Sequence, residues 1–175
     1  RFAHLTQGKS LDPNLRGMVY GIVAEHGGAS EFTHLYGLYK KTQLQEEKVR
    51  LLRAFTRFRR ESEIRKVLEF SLSPDVRTQD TYVLLAGFGS NDAARDMNWE
   101  YVKKEWKKIV SRYTGGSVGI VGHILEGAVA GYKDGVRLDD VRRFFAANPV
   151  PGTERTRRQA LEFIESNIAW SARAA

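Results

Sequence analysis

The sequence predicts an all-α fold, arranged as an irregular α-solenoid of antiparallel helix pairs. Three observations carry that expectation. Nearly every segment repeats apolar residues at helical spacing, no stretch alternates persistently like an amphipathic strand, and helix pairs begin near residues 13, 45, 78 and 117. A period of roughly 32 to 39 residues falls in the range of helical-repeat arrays, whose pairs share one core with their neighbours. Internal sequence similarity is poor, so the repeat is structural and irregular.

The first helix is expected from Pro13, which suits a first turn, to Gly27 and Gly28, which stop it. Its apolar stripe reads Leu15, Met18, Val19, Ile22 and Val23. Ser30 is placed to cap the second helix, with Phe32, Leu35, Tyr36 and Tyr39 on its apolar face. A third runs near Gln45 to Phe58, and a fourth carries Ile64, Val67, Leu68 and Leu72 before Pro74 ends it. "TQDTYVLLAGFG" gives a short helix, opened by Thr78 and closed near Gly87 or Gly89. The clearest helix starts near Asp92, where Trp99, Val102, Trp106, Ile109 and Tyr113 fall at offsets of 3, 7, 10 and 14. Lys103, Lys104, Lys107 and Lys108 are expected on its outer side, and "TGG" ends it. A glycine-rich helix spans 117 to 132, and the next presents Leu138, Val141, Phe144 and Phe145 before Pro149. The last runs from about Thr153 past Trp170, with Leu161, Ile164 and Ile168 inward. Linkers are short and no composition shift marks a boundary, so residues 1–175 read as a single domain.

Composition narrows the function classes. Hydrophobic residues make up 42% of 175, enough for a core, and 28% are charged, which speaks against wholesale disorder. The absence of cysteine excludes disulfides, thiolate metal sites and a cysteine nucleophile, and fits a reducing compartment. No apolar run approaches the roughly 20 residues a bilayer requires, so no membrane partner is expected. The formal charge of +7 favours anionic partners without choosing among them. The first residue is arginine rather than methionine, so the chain reads as a piece of a longer protein.

Several stretches imitate chemistry and fail on spacing. "EHGGASEFTH" holds His26 and His34, but a zincin pair needs two histidines four apart on one helix with a glutamate between. Here they are eight apart, on either side of Gly27-Gly28, and read as an inter-helix turn. His4 and His123 are isolated. "GKS" at Gly8 to Ser10 lacks the glycine of a phosphate loop, because Ala3 stands there. Gly119, Gly122, Gly127 and Gly131 read as points of close helix approach. Asp139-Asp140 reads as solvated charge in a first helical turn, followed by Arg142 and Arg143. No Gly-x-Ser-x-Gly nucleophile motif occurs. No catalytic or metal-ligating residue is therefore expected in this chain.

One charge pattern remains. Arg50, Arg53, Arg57 and Arg60 lie at offsets of 3, 7 and 10, which places a row of guanidiniums on one face of the third helix. Arginine grips carboxylates and phosphates bidentately, so the row is the candidate peptide-binding site, set against the plainer reading of a solvated basic face. Neither exposed aromatics among the basics nor a module signature marks a nucleic-acid partner.

From "VRTQD" at Val76, through "NWEYVKKEWKKIVSRYTGGS", to "ESNIAW" at Glu165 to Trp170, the chain resembles the C-terminal helical domain of the gluzincin zinc aminopeptidases. The residues that carry this are Arg77, Gln79, Asp80, Trp99, Tyr101, Trp106, Tyr113, Ser117, Asn167, Ile168 and Trp170. "LDPNLRGMVYGIVAEHG" and "QEEKVRLLRAF" are similar to the puromycin-sensitive branch. The resemblance implies a HEAT/armadillo-like superhelix that packs on the catalytic domain of the same polypeptide and encloses a peptide chamber. It implies a full-length enzyme that removes N-terminal amino acids from peptide substrates and, for that branch, a cytoplasmic location. Zinc would belong to the parent's catalytic domain, since neither His-Glu-x-x-His nor Gly-x-Met-Glu-Asn occurs here. The alternative is a free-standing helical-repeat module that binds acidic protein or nucleic acid.

Overall fold

The computed structural model describes residues 12–113 and 116–174. His4, Ala3, the Gly8–Ser10 stretch and most of "TGG" lie outside them. Ten α-helices form among the described residues, and no strand does. They are α1 (Pro13–His26), α2 (Ala29–Lys41), α3 (Gln45–Phe55), α4 (Glu61–Ser71), α5 (Thr81–Gly87), α6 (Arg95–Lys104), α7 (Trp106–Ser111), α8 (Val118–Val129), α9 (Gly135–Ala147) and α10 (Glu154–Ala174). Single 3₁₀ turns, Thr78–Asp80 and Phe88–Ser90, flank α5.

Two layers result. α1, α3, α5, α8 and α10 pack side by side in chain order as the first layer. The intervening helices α2, α4, α6 with α7, and α9 cover it as the second, and one hydrophobic core runs between the layers from Tyr20 to Ile164. This is the helical-repeat architecture that the helix-pair period predicts.

The repeat also shows in how helix ends are satisfied. The last carbonyls of an α-helix lack intrahelical donors. Asn91 Nδ2 donates to Thr56 O and Phe58 O, both at 2.8 Å, just beyond α3. Asn167 Nδ2 does the same for Ala130 O and Tyr132 O, both at 3.0 Å, beyond α8. Asn98 Nδ2 reaches Leu85 O inside α5 at 2.8 Å, and Arg112 fastens Leu72 O and Val76 O after α4. The Asn91 and Asn167 clamps reach back 33 to 37 residues, about one helix pair.

Several expectations are corrected by the coordinates. Most of the stripe expected to bury α1 does not face the core, although Val23 packs against it. Tyr20, Gly21 and Ala24 are buried instead, while Leu15, Met18 and Ile22 are exposed. Tyr20 explains the choice, because its hydroxyl donates to Glu47 Oε1 on α3 at 2.6 Å. The residue before α2 is Gly28 and not Ser30; Glu31 accepts from the Gly28 amide at 2.8 Å. α3 stops at Phe55, three residues early: the Thr56 hydroxyl donates to Arg53 O and a tight turn tucks Phe58 fully into the core.

The expected long helix after Asp92 begins at Arg95 and breaks at Glu105 into α6 and α7, although Trp99, Val102, Trp106, Ile109 and Tyr113 are all buried. Lys103 is not on the outer side, being bound to Glu100 at 2.8 Å and to Asp140 at 3.0 Å. Asp140 is no solvated first-turn charge: it lies past the first turn of α9 and accepts the Trp99 indole N–H at 2.7 Å. Burial opposes its ionisation, but the Lys103 and Trp99 hydrogen bonds hold its carboxyl below the usual range. Of the four glycines, Gly122, Gly127 and Gly131 sit at close contacts, and Gly119 faces open space.

Candidate functional site

The arginine row is not one helix face. Arg50 and Arg53 lie on α3, Arg57 lies in the turn behind it, and Arg60 precedes α4. Phe58 causes the break, since burying its ring ends the helix before the spacing can continue. The four side chains are also unequal in what they hold. Arg50 pairs with Glu46 and, at 3.0 Å, with Glu47. Arg57 holds Glu25 of α1 at 2.5 Å, which keeps the Glu25 carboxyl below its ordinary range. Arg53 is exposed and pairs with no carboxylate among the described residues. Arg60 also lacks one there, and its guanidinium lies against Gly28, where an added Cβ would sit 2.5 Å from Nη1.

Two of the four therefore lock α3 onto itself and onto α1, while Arg53 and Arg60 hold no carboxylate among the described residues. Beside them, Arg59 holds Asp92 at 2.8 Å. The turns that follow α1 and α3 are thus joined through Glu25–Arg57 and through Arg60 on Gly28.

A second feature has no counterpart in the sequence reading. A groove of about 660 Å³ opens between α4 and the α6–α7 pair. Leu68, Met97 and Tyr101 contribute its apolar surface. Glu69, Lys104, Glu105 and Lys108 stand around it and form no ion pair among the described residues. Burial, followed by the negative charge of Glu105, pushes the Tyr101 phenol up to about 12, so it stays a neutral hydrogen-bonding group at physiological pH. Such a surface can bind a chain of mixed charge. The available signal was a second helical face, Met97, Tyr101, Lys104 and Lys108, hidden by the stronger tryptophan stripe.

The three described histidines do not converge. His26 ends α1 and is exposed, His34 lies on α2, and His123 on α8 is 3.8 Å from Glu126. Among the described residues, no three of His, Cys, Asp and Glu gather to hold a metal ion. No described helix is long and apolar enough to cross a membrane.

A family model described as the ERAP1-like C-terminal domain matches residues 1–166. Aminopeptidase 2, mitochondrial, of Saccharomyces cerevisiae is 26% identical over 156 residues, covering 89% of this chain and 16% of that protein. Aminopeptidase N of Mus musculus is 28% identical over 165 residues, covering 92% and 17%. Aminopeptidase M1-A of Oryza sativa subsp. japonica is 28% identical over 163 residues, covering 91% and 18%. The chain spans less than a fifth of the length of these relatives.

Proposed function

The chain belongs to the ERAP1-like C-terminal domain family, and from that premise we propose that it is the non-catalytic C-terminal domain of a longer zinc aminopeptidase. In this reading the two-layer solenoid encloses the peptide chamber and packs on the catalytic domain, and the full-length protein removes N-terminal amino acids from peptides. The extent of the match carries it: one domain model takes in nearly the whole chain, while the relatives are aminopeptidases several times longer. The described residues do not fit a zinc site, because His26, His34 and His123 stand on three different helices and gather no third ligand. The metal would therefore belong to another part of the polypeptide. "VRTQD" and "ESNIAW", together with the α1 and α3 sequences, support the puromycin-sensitive type and with it a cytoplasmic location.

Arg50, Arg53, Arg57 and Arg60 are proposed to receive peptide carboxylates, with Arg53 and Arg60 engaging first because they hold no carboxylate here. The test has two arms. Zinc-loaded preparations of the chain alone should release no amino acids from a peptide, whereas the longer enzyme should; release by the chain alone would overturn the reading. In the longer enzyme, Arg53→Ala should reduce the preference for a peptide over its C-terminally amidated twin by roughly tenfold. An unchanged preference removes Arg53 from that role. Steeply salt-dependent binding of the chain to single-stranded nucleic acid would instead favour the free-standing module.

A further inference from the structure

Two consecutive arginines occur three times in the chain, and only Arg59-Arg60 is followed within two residues by a hydroxyl, that of Ser62. The approach to it is open. Residues 56–60 lie outside helices, Arg60 is extended at φ −83° and ψ 133°, and Arg59, Arg60, Glu61 and Ser62 are all exposed. Ser62 is the second residue of α4, where the helix dipole favours negative charge and the first backbone N–H groups lack intrahelical acceptors. Its hydroxyl donates to Glu63 Oε2 at 2.7 Å, and the buried Glu63 has Lys66 at 3.5 Å. Glu61 is matched by Arg65 at 2.6 Å, and Arg59 by Asp92 at 2.8 Å. Arg60 lies against Gly28 and holds no carboxylate among the described residues.

We propose that Ser62 is a phosphorylation site for an arginine-directed serine kinase, and that its phosphate captures Arg60. Kinases of this class receive the guanidiniums ahead of the acceptor on carboxylates of their own, and Arg59 and Arg60 supply them three and two residues before Ser62. Ser62 Oγ forms the new bond to the γ-phosphorus of ATP as the bond to the bridging oxygen breaks. ADP leaves, and the hydroxyl proton passes to the kinase's base. The phosphate can no longer donate to Glu63, and two anions repel there, so it turns away from that carboxylate. On the exposed side it meets the free amides of the first turn and Arg60, which carries no competing carboxylate. Arg60 is thereby withdrawn from peptide carboxylates, a consequence that rests on the role proposed above for the arginine row and on the cytoplasmic location proposed with it.

Incubation of the full chain with an arginine-directed kinase and magnesium ATP, read by mass spectrometry, tests the acceptor. Phosphate should appear on Ser62, and roughly tenfold more slowly in Arg60→Ala, whose fold circular dichroism checks. No phosphate on Ser62, or an unchanged rate in Arg60→Ala, would overturn the proposal. Phosphorus NMR tests the capture. A free phosphoserine takes its second ionisation at about pH 6. With Arg60 beside it, the Ser62 phosphate should ionise at lower pH, and Arg60→Gln should reverse part of that change. Identical titrations of the two phosphorylated proteins would overturn the capture, and the proposal with it. Neither readout uses a peptide. In the longer enzyme, phosphorylation should weaken the preference for a peptide over its amidated twin as Arg60→Ala does. A Ser62 phosphate that holds Arg60, while Arg60→Ala leaves that preference unchanged, would retain the phosphorylation site and remove Arg60 from the peptide-binding role.

Discussion

Between α2, α3 and α4, six aromatic rings meet; between α5 and α8, the contact is made by glycine backbone. In the first region Phe32, Tyr36, Tyr39, Phe55, Phe58 and Phe70 form a chain of ring contacts, with Tyr39 and Phe55 edge-on to Phe70 at 5.2 and 5.8 Å between centroids. In the second, a Cβ on Gly89, in the 3₁₀ turn that follows α5, would lie 1.7 Å from Gly127 O, and one on Gly127 would lie 2.3 Å from Ala86 Cβ. The same two-layer plan is filled by bulk at one end and held by close approach further along. The two regions should therefore fail in opposite ways: the aromatic one when atoms are removed, the glycine one when they are added.

The largest expected effect is Phe55→Ala. The ring is fully buried among its aromatic neighbours, so a cavity should cost about 3–5 kcal/mol in urea denaturation. Next is Gly89→Ala, expected to cost about 3 kcal/mol, because the obstacle is a carbonyl of the facing helix that no rotamer change can move aside. A milder result there would mean that α5 and α8 can slide apart, which would blunt the contrast.

The asparagine clamps are common to both regions and should respond alike. Asn91→Ala and Asn167→Ala each remove two hydrogen bonds to helix-end carbonyls and should each cost about 1–2 kcal/mol, Asn91→Ala slightly more because Asn91 Oδ1 also accepts the exposed Ala93 N–H at 3.1 Å. Markedly unequal losses would show that the helix ends, as well as the cores, differ between the two regions.

The smallest effect is on pH dependence. Burial, then the hydrogen bond to Glu47, pushes the Tyr20 phenol up to about 12 from an ordinary value of 10.0. The unfolded chain loses that proton first, so this contribution is complete below pH 10.0 and is lost as pH rises towards about 12. Solvent screening reduces it to roughly 1 kcal/mol or less. Comparing alkaline denaturation of the wild type with Tyr20→Phe should show a shallower fall in the variant. Glu47 runs the other way. Burial opposes its ionisation, but hydrogen bonds from Tyr20 and Arg50 and the charge of Arg16 outweigh that and hold it low. Its contribution is present at neutral pH and is lost as pH falls through the lowered value.

Helix type, order and pairing were legible in the sequence because buried stripes such as Trp99, Val102, Trp106, Ile109 and Tyr113 repeat at one period and face one core. α1 was misread for a physical reason. Periodicity reports that Leu15, Met18 and Ile22 share a face, but not which neighbour covers it, and among the described residues nothing does. The arginine spacing likewise promised one helix face, but burial of Phe58 ends α3 before Arg57. Asp140 looked like surface charge because its partners Trp99 and Lys103 are 41 and 37 residues away in sequence. The groove between α4 and α6–α7 depends on the distance between two helices, which no local pattern encodes.

The α5–α8 contact is the joint that makes the two regions one scaffold. All three tryptophans, Trp99, Trp106 and Trp170, lie on the α8 side of the aromatic cluster, so their fluorescence reports one region while far-UV circular dichroism reports all the helices. In urea the two signals should change together for the wild type and separate for Gly127→Ala, as the aromatic region and the glycine-packed region unfold apart. Signals that already separate in the wild type, or that still coincide at an unchanged midpoint in Gly127→Ala, would contradict that role.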